Sequence, residues 1–181
     1  MKYEPGVDGL RALSVGAVFL FHAGVVSGGF IGVDVFFVIS GYLITALALA
    51  EIDRTDRLAL GSFWARRARR LLPAMLLVCA AVLGYSVIEG GGALQRVGRD
   101  VGYALLYVAN WGQVGQGRDY FALYESPSLL EHAWSLAVEE QFYLVWPIVL
   151  VVVLRLAGTQ RVRRAVAGVA VAVAAGSVVL A

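Results

Sequence analysis

The sequence predicts an all-α fold, a polytopic bundle of transmembrane helices. Hydrophobic residues make up 60% of the 181 residues and charged residues only 15%. The mean hydropathy is +0.76, far from the balance of a soluble globular domain. Several runs with little or no charge are also long enough to approach the thickness of a bilayer. We therefore expect about five membrane spans.

Five apolar runs define these spans in chain order. They are Leu10 to Val26, Phe30 to Ala50, Leu71 to Ile88, Ala133 to Ala157 and Ala165 to Ala181. The segment Val101 to Ala109 is too short to cross roughly 30 Å of hydrocarbon, and it predicts a short interfacial or re-entrant helix. The last run is still apolar where the sequence stops, so the chain is expected to be truncated and its site incomplete.

The basic residues predict how the chain is oriented. Six arginines lie between the second and third runs: Arg54, Arg57, Arg66, Arg67, Arg69 and Arg70. Cytoplasmic loops of membrane proteins are rich in such residues. This places the N-terminus, with Lys2 and Arg11, in the cytoplasm, and the segment from Glu89 to Glu131 begins and ends outside. We expect a multi-pass protein of the inner (plasma) membrane.

Several function classes find no support. A net charge of +2 is too small to indicate nucleic-acid binding. Cys79 is the one cysteine, so no disulfide can form within the chain. The acidic flank of the first run, with Glu4 and Asp8, favours a retained span over a cleaved signal peptide. No metal-ligand spacing, phosphate-binding loop or nucleophile elbow is found, so no metal is expected.

The first run holds Arg11 and His22, which a membrane span rarely admits without a function. Their spacing equals about three helical turns plus roughly 20°, with a rise of about 16 Å, so both lie on one stripe of a helix. Asp8 joins that stripe. Asp34, early in the second run, has two readings: it meets a partner or water within the span, or it lies harmlessly at the outer interface. The neighbouring glycines, Gly32 and Gly41, are explained by close helix approach.

Two later segments carry the densest charge. Arg67 and Arg70 are three residues apart, so one helical face presents two guanidinium groups that suit phosphate oxygens. A cytoplasmic stop signal explains the same arginines. Further along, Ser135, Glu139 and Tyr143 share a face of an apolar helix, close to His132, while Glu140 is rotated by about 100°. Two carboxylates there either are functional or lie in water at the start of the helix.

These residues resemble the acyltransferase-3 family of multi-spanning membrane O-acyltransferases. Four motifs match in order: Gly9-Leu10-Arg11-Ala12-Leu13 with His22, the block from Gly32-Val33-Asp34 to Gly41-Tyr42, Arg67-x-x-Arg70-Leu71-x-Pro73, and Trp134-Ser135-Leu136-Ala137-Val138-Glu139-Glu140-Gln141-Phe142-Tyr143. The resemblance implies transfer of an acyl group, commonly acetyl, from cytoplasmic acyl-CoA to a hydroxyl of a cell-surface or lipid-linked carbohydrate. Family members typically have about ten membrane helices, so residues 1–181 would form the N-terminal part of one acyltransferase domain.

The resemblance also assigns roles to residues. His22 would be the catalytic base or a transient acyl carrier, Glu139 would orient its imidazole, and Arg11 would stabilise developing negative charge or hold the donor. Arg67 and Arg70 would bind the phosphates of the acyl-CoA donor. Asp8, Asp34, Ser135 and Glu140 are secondary candidates.

Other functions stay open at this stage. The acceptor could be a small molecule such as an antibiotic rather than a carbohydrate. Half of a transporter or flippase would also place charged residues along a membrane path, although neither a repeat nor a pair of broken helices is visible. A purely structural membrane domain leaves Glu139 and His22 unexplained.

Overall fold

The computed structural model of the chain describes residues 4–90, 93–117 and 128–180. These residues form seven helices and no strand: α1 (Pro5–His22), α2 (Ile31–Thr55), α3 (Leu60–Glu89), α4 (Ala93–Leu105), α5 (Ala109–Gly115), α6 (Ala133–Ala157) and α7 (Val162–Leu180). The predicted all-α class is confirmed. Lys2, Ala181 and part of the predicted outer segment lie outside the described residues.

Three of these helices are long and apolar enough to cross a membrane, judged by length and composition: α2, α3 and α6. They correspond to three of the five predicted spans. Helix α1 contains most of the first predicted span but ends at His22, before the predicted end at Val26, and Asp8, Arg11 and His22 lower its mean hydropathy. Helix α7 covers the fifth and begins with two arginines. The chain is a membrane protein by these criteria; its orientation stays a prediction.

The segment around Val101 differs from the prediction. In place of one short helix over Val101 to Ala109, the chain forms α4 and α5, joined by a turn at Tyr107. Helix α4 begins earlier because Ala93, Val97 and Val101 recur every four residues and form one apolar face. Polar residues between them, such as Arg99, hide this helix from a search for continuous apolar runs.

The arginine cluster also lies elsewhere than the hydropathy pattern indicated. Helix α3 begins at Leu60, so Arg66, Arg67, Arg69 and Arg70 belong to its first turns and not to a loop. Arginine has a high helix propensity, and hydropathy marks the apolar centre of a helix rather than its ends. A helical backbone fixes the directions in which these four side chains point.

The chain divides into two compact units, residues 1–60 with 145–181 and residues 61–144. In the first unit α1 and α2 form an antiparallel hairpin. Gly29 and Gly32 both approach the backbone of α1 closely, and a Cβ added at Gly32 would overlap the backbone oxygen of Ser14. The buried Ser14 hydroxyl donates to the Leu10 carbonyl, 2.7 Å away, and is thereby satisfied. Small residues thus let the two backbones approach closely, as is common where helices pack within a membrane.

An apolar core completes the first unit. Its buried residues come from α2, the following turn, the second half of α6 and α7: Ala48, Ile52, Leu58, Leu150, Val153, Val162 and Val166. One polar contact accompanies them, because the Trp146 indole nitrogen donates to the Thr45 hydroxyl at 2.8 Å. The apolar run after Pro147 is therefore packed and not simply a lipid anchor.

The second unit has its own core. Met75 and Cys79 of α3, Val101 and Ala104 of α4, and Leu130 before α6 are buried together. Helix α4 therefore uses its apolar face against this unit. This packing leaves the first half of α6 and the first turns of α3 to carry the polar residues described next.

Candidate functional site

His22 is the last residue of α1, and its hydrogen bond defines the ring tautomer. Its Nδ1 lies 2.8 Å from the Val18 carbonyl oxygen, one helical turn earlier. A carbonyl oxygen only accepts, so Nδ1 carries the hydrogen and the lone pair of the neutral imidazole lies on Nε2. Phe21 contacts the ring edge to face, with the centroids 5.3 Å apart. The geometry orients an imidazole whose basic nitrogen is Nε2.

The other residues of the α1 stripe lie toward its N-terminus. The Arg11 guanidinium lies over the Phe36 ring of α2, with 5.5 Å between Cζ and the ring centroid, and is half-buried. Asp8 is exposed. Asp34 is also exposed, in the first turn of α2, where a carboxylate is favoured by the helix dipole. Arg11 is therefore held by a cation–π contact.

Arg67 is the centre of a polar cluster in the second unit. Its Nε donates to Glu140 Oε1 at 2.8 Å, and its terminal nitrogen lies 3.8 Å from Glu139 Oε1. The side chains of Arg67, Glu139 and Glu140 are 18%, 11% and 15% exposed. Glu140, expected to point away from the functional face, is thus the closer partner. Two carboxylates on an apolar helix share one guanidinium from α3.

Tyr143 joins the same cluster through both ends of its side chain. The Arg67 Cζ lies 3.1 Å from the centre of the Tyr143 ring, and the Tyr143 hydroxyl donates to Glu139. Glu139 and Tyr143 are one turn apart on α6, as the predicted common face requires. Ser135, a turn earlier, instead donates to the His132 carbonyl at 3.1 Å. Tyr143 therefore fixes the relative positions of the guanidinium and the Glu139 carboxylate.

A hydrogen bond from Trp64 links α3 to α6, and Pro147 leaves its acceptor available. In a helix the Tyr143 carbonyl would accept from the amide of residue 147, but proline has no N–H. The Trp64 indole nitrogen donates to this carbonyl instead, at 3.2 Å. Trp64 and Arg67 are one turn apart on α3, so the two contacts lie on the same side of that helix.

Gln141 extends the polar cluster to the turn between α4 and α5. Its amide nitrogen donates to the Tyr107 carbonyl at 2.8 Å and to the Asn110 side chain at 2.9 Å. Its amide oxygen accepts from the Trp111 indole at 3.3 Å. Tyr107 has a φ of 53°, a left-handed conformation unfavourable for a bulky residue. Gln141 therefore supports a strained turn.

The Tyr107 side chain faces this charged region. Burial raises the pKa of its hydroxyl, and the negative charge of Glu140 adds to the effect. Tyr107 is thus neutral at physiological pH. Sequence reasoning missed Tyr107, Gln141 and Trp64 as members of the cluster. Gln141 lies inside the fourth quoted motif and Trp64 lies three residues before the third, but their partners depend on tertiary packing.

Arg70 contrasts with Arg67. It is exposed, and within residues 4–90, 93–117 and 128–180 it forms no ion pair or hydrogen bond. The two arginines are three residues apart, so their side chains are neighbours on the surface of α3. Only one of the two predicted phosphate ligands therefore presents an accessible guanidinium.

The described residues bring some predicted site residues together and leave others apart. Arg67, Glu139 and Glu140 form one cluster in the second unit. Arg11 and His22 belong to the first unit. The predicted pairing of His22 with Glu139, and every catalytic role, stays a prediction. Within the described residues no group of three His, Cys, Asp or Glu side chains could hold a metal ion.

The family profile described as an acyltransferase domain matches residues 4–181. The chain belongs to this acyltransferase family. The predicted family membership is thereby confirmed. The match extends beyond the four motifs, which end before residue 147, and includes α7.

Two curated relatives are similar to the acyltransferase domain. The O-acetyltransferase OatA of Staphylococcus aureus is 46% identical over 151 residues, 82% of this chain and 25% of the relative. The peptidoglycan O-acetyltransferase OatA of Listeria monocytogenes is 46% identical over 156 residues, 85% of this chain and 25% of the relative. The chain thus spans about a quarter of the length of these relatives. No solved structure matches it.

Proposed function

We propose that this acyltransferase domain transfers an acyl group, acetyl in the simplest case, from acyl-CoA to a hydroxyl of a cell-surface carbohydrate. The observation that carries the proposal is the family match over residues 4–181. The name of the Listeria relative, a peptidoglycan O-acetyltransferase, supports an acetyl group and a carbohydrate acceptor. The apolar helices α2, α3 and α6 support a reaction at a membrane.

His22 is the proposed general base. The hydrogen bond from Nδ1 to the Val18 carbonyl supports Nε2 as the proton acceptor. In the proposed step Nε2 takes the proton of the acceptor hydroxyl while its oxygen attacks the thioester carbonyl. The carbon–sulfur bond then breaks, and the imidazolium returns the proton to the leaving thiolate. The products are an ester and free coenzyme A.

The donor would be held by basic residues of α3. Planar guanidinium groups bind phosphate through paired N–H donors, and coenzyme A carries several phosphates. The exposure of Arg70 supports this role. Under the predicted orientation these first turns of α3 face the cytoplasm, where acyl-CoA is found. Arg11, about three helical turns from His22 along α1, would help to hold the donor.

The experiment supplies labelled acetyl-CoA to membranes that contain the full-length protein and measures label in purified glycan. His22→Gln should reduce transfer by about 10²-fold or more, the usual contribution of a general base. His132→Gln is the matched control, since the chain has two histidines, and it should retain transfer. If His22→Gln leaves labelling unchanged, the proposed base is wrong. Movement of substrate without loss of the thioester would favour a transporter.

A further inference from the structure

We propose that the two arginines of the Arg-x-x-Arg motif have different tasks. Arg70 contacts the phosphates of the donor, whereas Arg67 is a positioning residue that holds Glu139, Glu140 and Tyr143 on α6. The proposal rests on the proposed function, because phosphate binding is predicted for both arginines and is here assigned to Arg70 alone. The contrast between their surroundings carries it.

The surroundings of Arg67 leave little room for a phosphate. Glu140 accepts from its Nε at 2.8 Å, and the Glu139 carboxylate lies 3.8 Å from a terminal nitrogen. The Tyr143 ring covers one face of the guanidinium. A phosphate at this position would have to displace a charge-assisted hydrogen bond and lie beside two carboxylates of the same sign.

Arg70 has the opposite properties. It is exposed, and no ion pair or hydrogen bond holds it within the described residues. It lies three positions after Arg67, so both project toward neighbouring sides of α3. Arg69 is exposed as well, but it is rotated by about 200° from Arg67, on the far side of the helix. Arg69 therefore provides a matched control for a general effect of positive charge.

Removal of the Arg67 guanidinium would leave two carboxylates and the Tyr143 ring without their common partner, which indicates the task of Arg67. Glu139 and Glu140 are adjacent and mostly buried, and like charges at such a position repel. Loss of the guanidinium would also free the Tyr143 ring, whose hydroxyl binds Glu139. The carboxylates would then move, although no donor phosphate had been touched. We expect such a change to affect the rate of the chemical step and not the affinity for the donor.

The test measures binding of coenzyme A and of pantetheine, which lacks the phosphates, to the full-length protein in detergent by calorimetry. Arg70→Gln should weaken coenzyme A binding about 10- to 100-fold, the contribution of a hydrogen bond between charged groups, and leave pantetheine binding unchanged. Arg69→Gln should change neither by more than about threefold, because an exposed distant charge is screened. The charge-balanced variant Arg67→Gln/Glu140→Gln should bind coenzyme A like the wild type.

Turnover supplies the second readout. With acetyl-CoA and soluble peptidoglycan fragments, Arg67→Lys should lower kcat by about tenfold or more at an unchanged KM for acetyl-CoA, since lysine lacks the planar fork. Lysine keeps a cation for a phosphate, so if Arg67 were a phosphate ligand, Arg67→Lys should leave kcat nearly unchanged. Arg70→Gln should raise the KM at a nearly unchanged kcat.

Several results would overturn the division of tasks. One is equal loss of coenzyme A affinity in the Arg67→Gln/Glu140→Gln and Arg70→Gln variants. Another is an Arg69→Gln effect as large as that of Arg70→Gln, which would indicate general electrostatic attraction. A wild-type protein that binds neither coenzyme A nor pantetheine would instead refute the donor of the proposed function, so the two failures can be told apart.

Discussion

Substitution of Gly32 by alanine should separate α1 from α2. A Cβ at this position would overlap the Ser14 backbone oxygen, and it would lie 3.0 Å from Val18 Cγ2 and 3.3 Å from Ala17 Cβ. A side chain could change rotamer to make room. The Ser14 oxygen belongs to the backbone of α1, so the helix itself must shift.

The size of the effect follows from this geometry. Carbon and oxygen atoms of neighbouring helices normally lie about 3.3 to 3.6 Å apart, so the two backbones must separate by about 1 Å. Overpacking of this kind costs about 1 to 3 kcal/mol, and a backbone clash belongs at the upper end. For a domain of this size, about 3 kcal/mol lowers the midpoint of thermal unfolding by roughly 6 to 12 °C.

Thermal unfolding of the detergent-solubilised protein, followed by near-ultraviolet circular dichroism, measures this change. Gly16→Ala on α1 is the control, because no atom lies within 4 Å of its added Cβ. Alanine at that helical position should leave stability unchanged or raise it by up to about 1 kcal/mol. Equal midpoints for the two variants would refute the close approach described for Gly32.

Three further predictions concern other contacts. Trp64→Phe should destabilise the protein by about 1 to 3 kcal/mol, because the Tyr143 carbonyl loses its donor. Adding Pro147→Ala should restore part of this stability, since alanine supplies a backbone N–H to the same carbonyl. An equal loss of stability in the double variant would contradict this account. Cys79 is 3% exposed, so a membrane-permeable maleimide should label it on the order of 10²-fold more slowly in the folded than in the unfolded protein, and rapid labelling would rule out the packing of the second unit. Arg163→Gln should change the unfolding free energy by less than about 1 kcal/mol, since its ion pair with Asp53 is exposed; a larger loss would show that the pair is not simply a surface contact.

The sequence alone predicts the helical class and the position of α6, because the hydropathy of its apolar run has the same limits as the helix, Ala133–Ala157. Periodicity also places Glu139 and Tyr143 on one face, and their hydrogen bond confirms it. These are local properties. They depend on the spacing of residues along one helix, which the sequence contains directly.

Other features depend on partners distant in the chain. Charged residues lie between the apolar positions of α4 in the sequence, so a search for continuous apolar runs misses this helix. Its apolar face becomes evident where it packs against α3. The side of α3 that faces α6 decides which arginine forms the ion pair. Arg67 therefore pairs with Glu140, while Arg70 stays exposed. The Arg-x-x-Arg motif in the sequence predicts the same phosphate-binding role for both arginines. Only the packing of α3 distinguishes the environment of Arg67 from that of Arg70.

The contact between Trp64 and the Tyr143 carbonyl has a consequence for how this family can vary. Pro147 has no N–H, so the Tyr143 carbonyl lacks its helical donor. The Trp64 indole of α3 donates to this carbonyl instead. In an alignment of relatives, positions 64 and 147 should therefore change together. Where 147 is not proline, a side chain without an N–H donor becomes acceptable at 64, and tryptophan there should be less frequent.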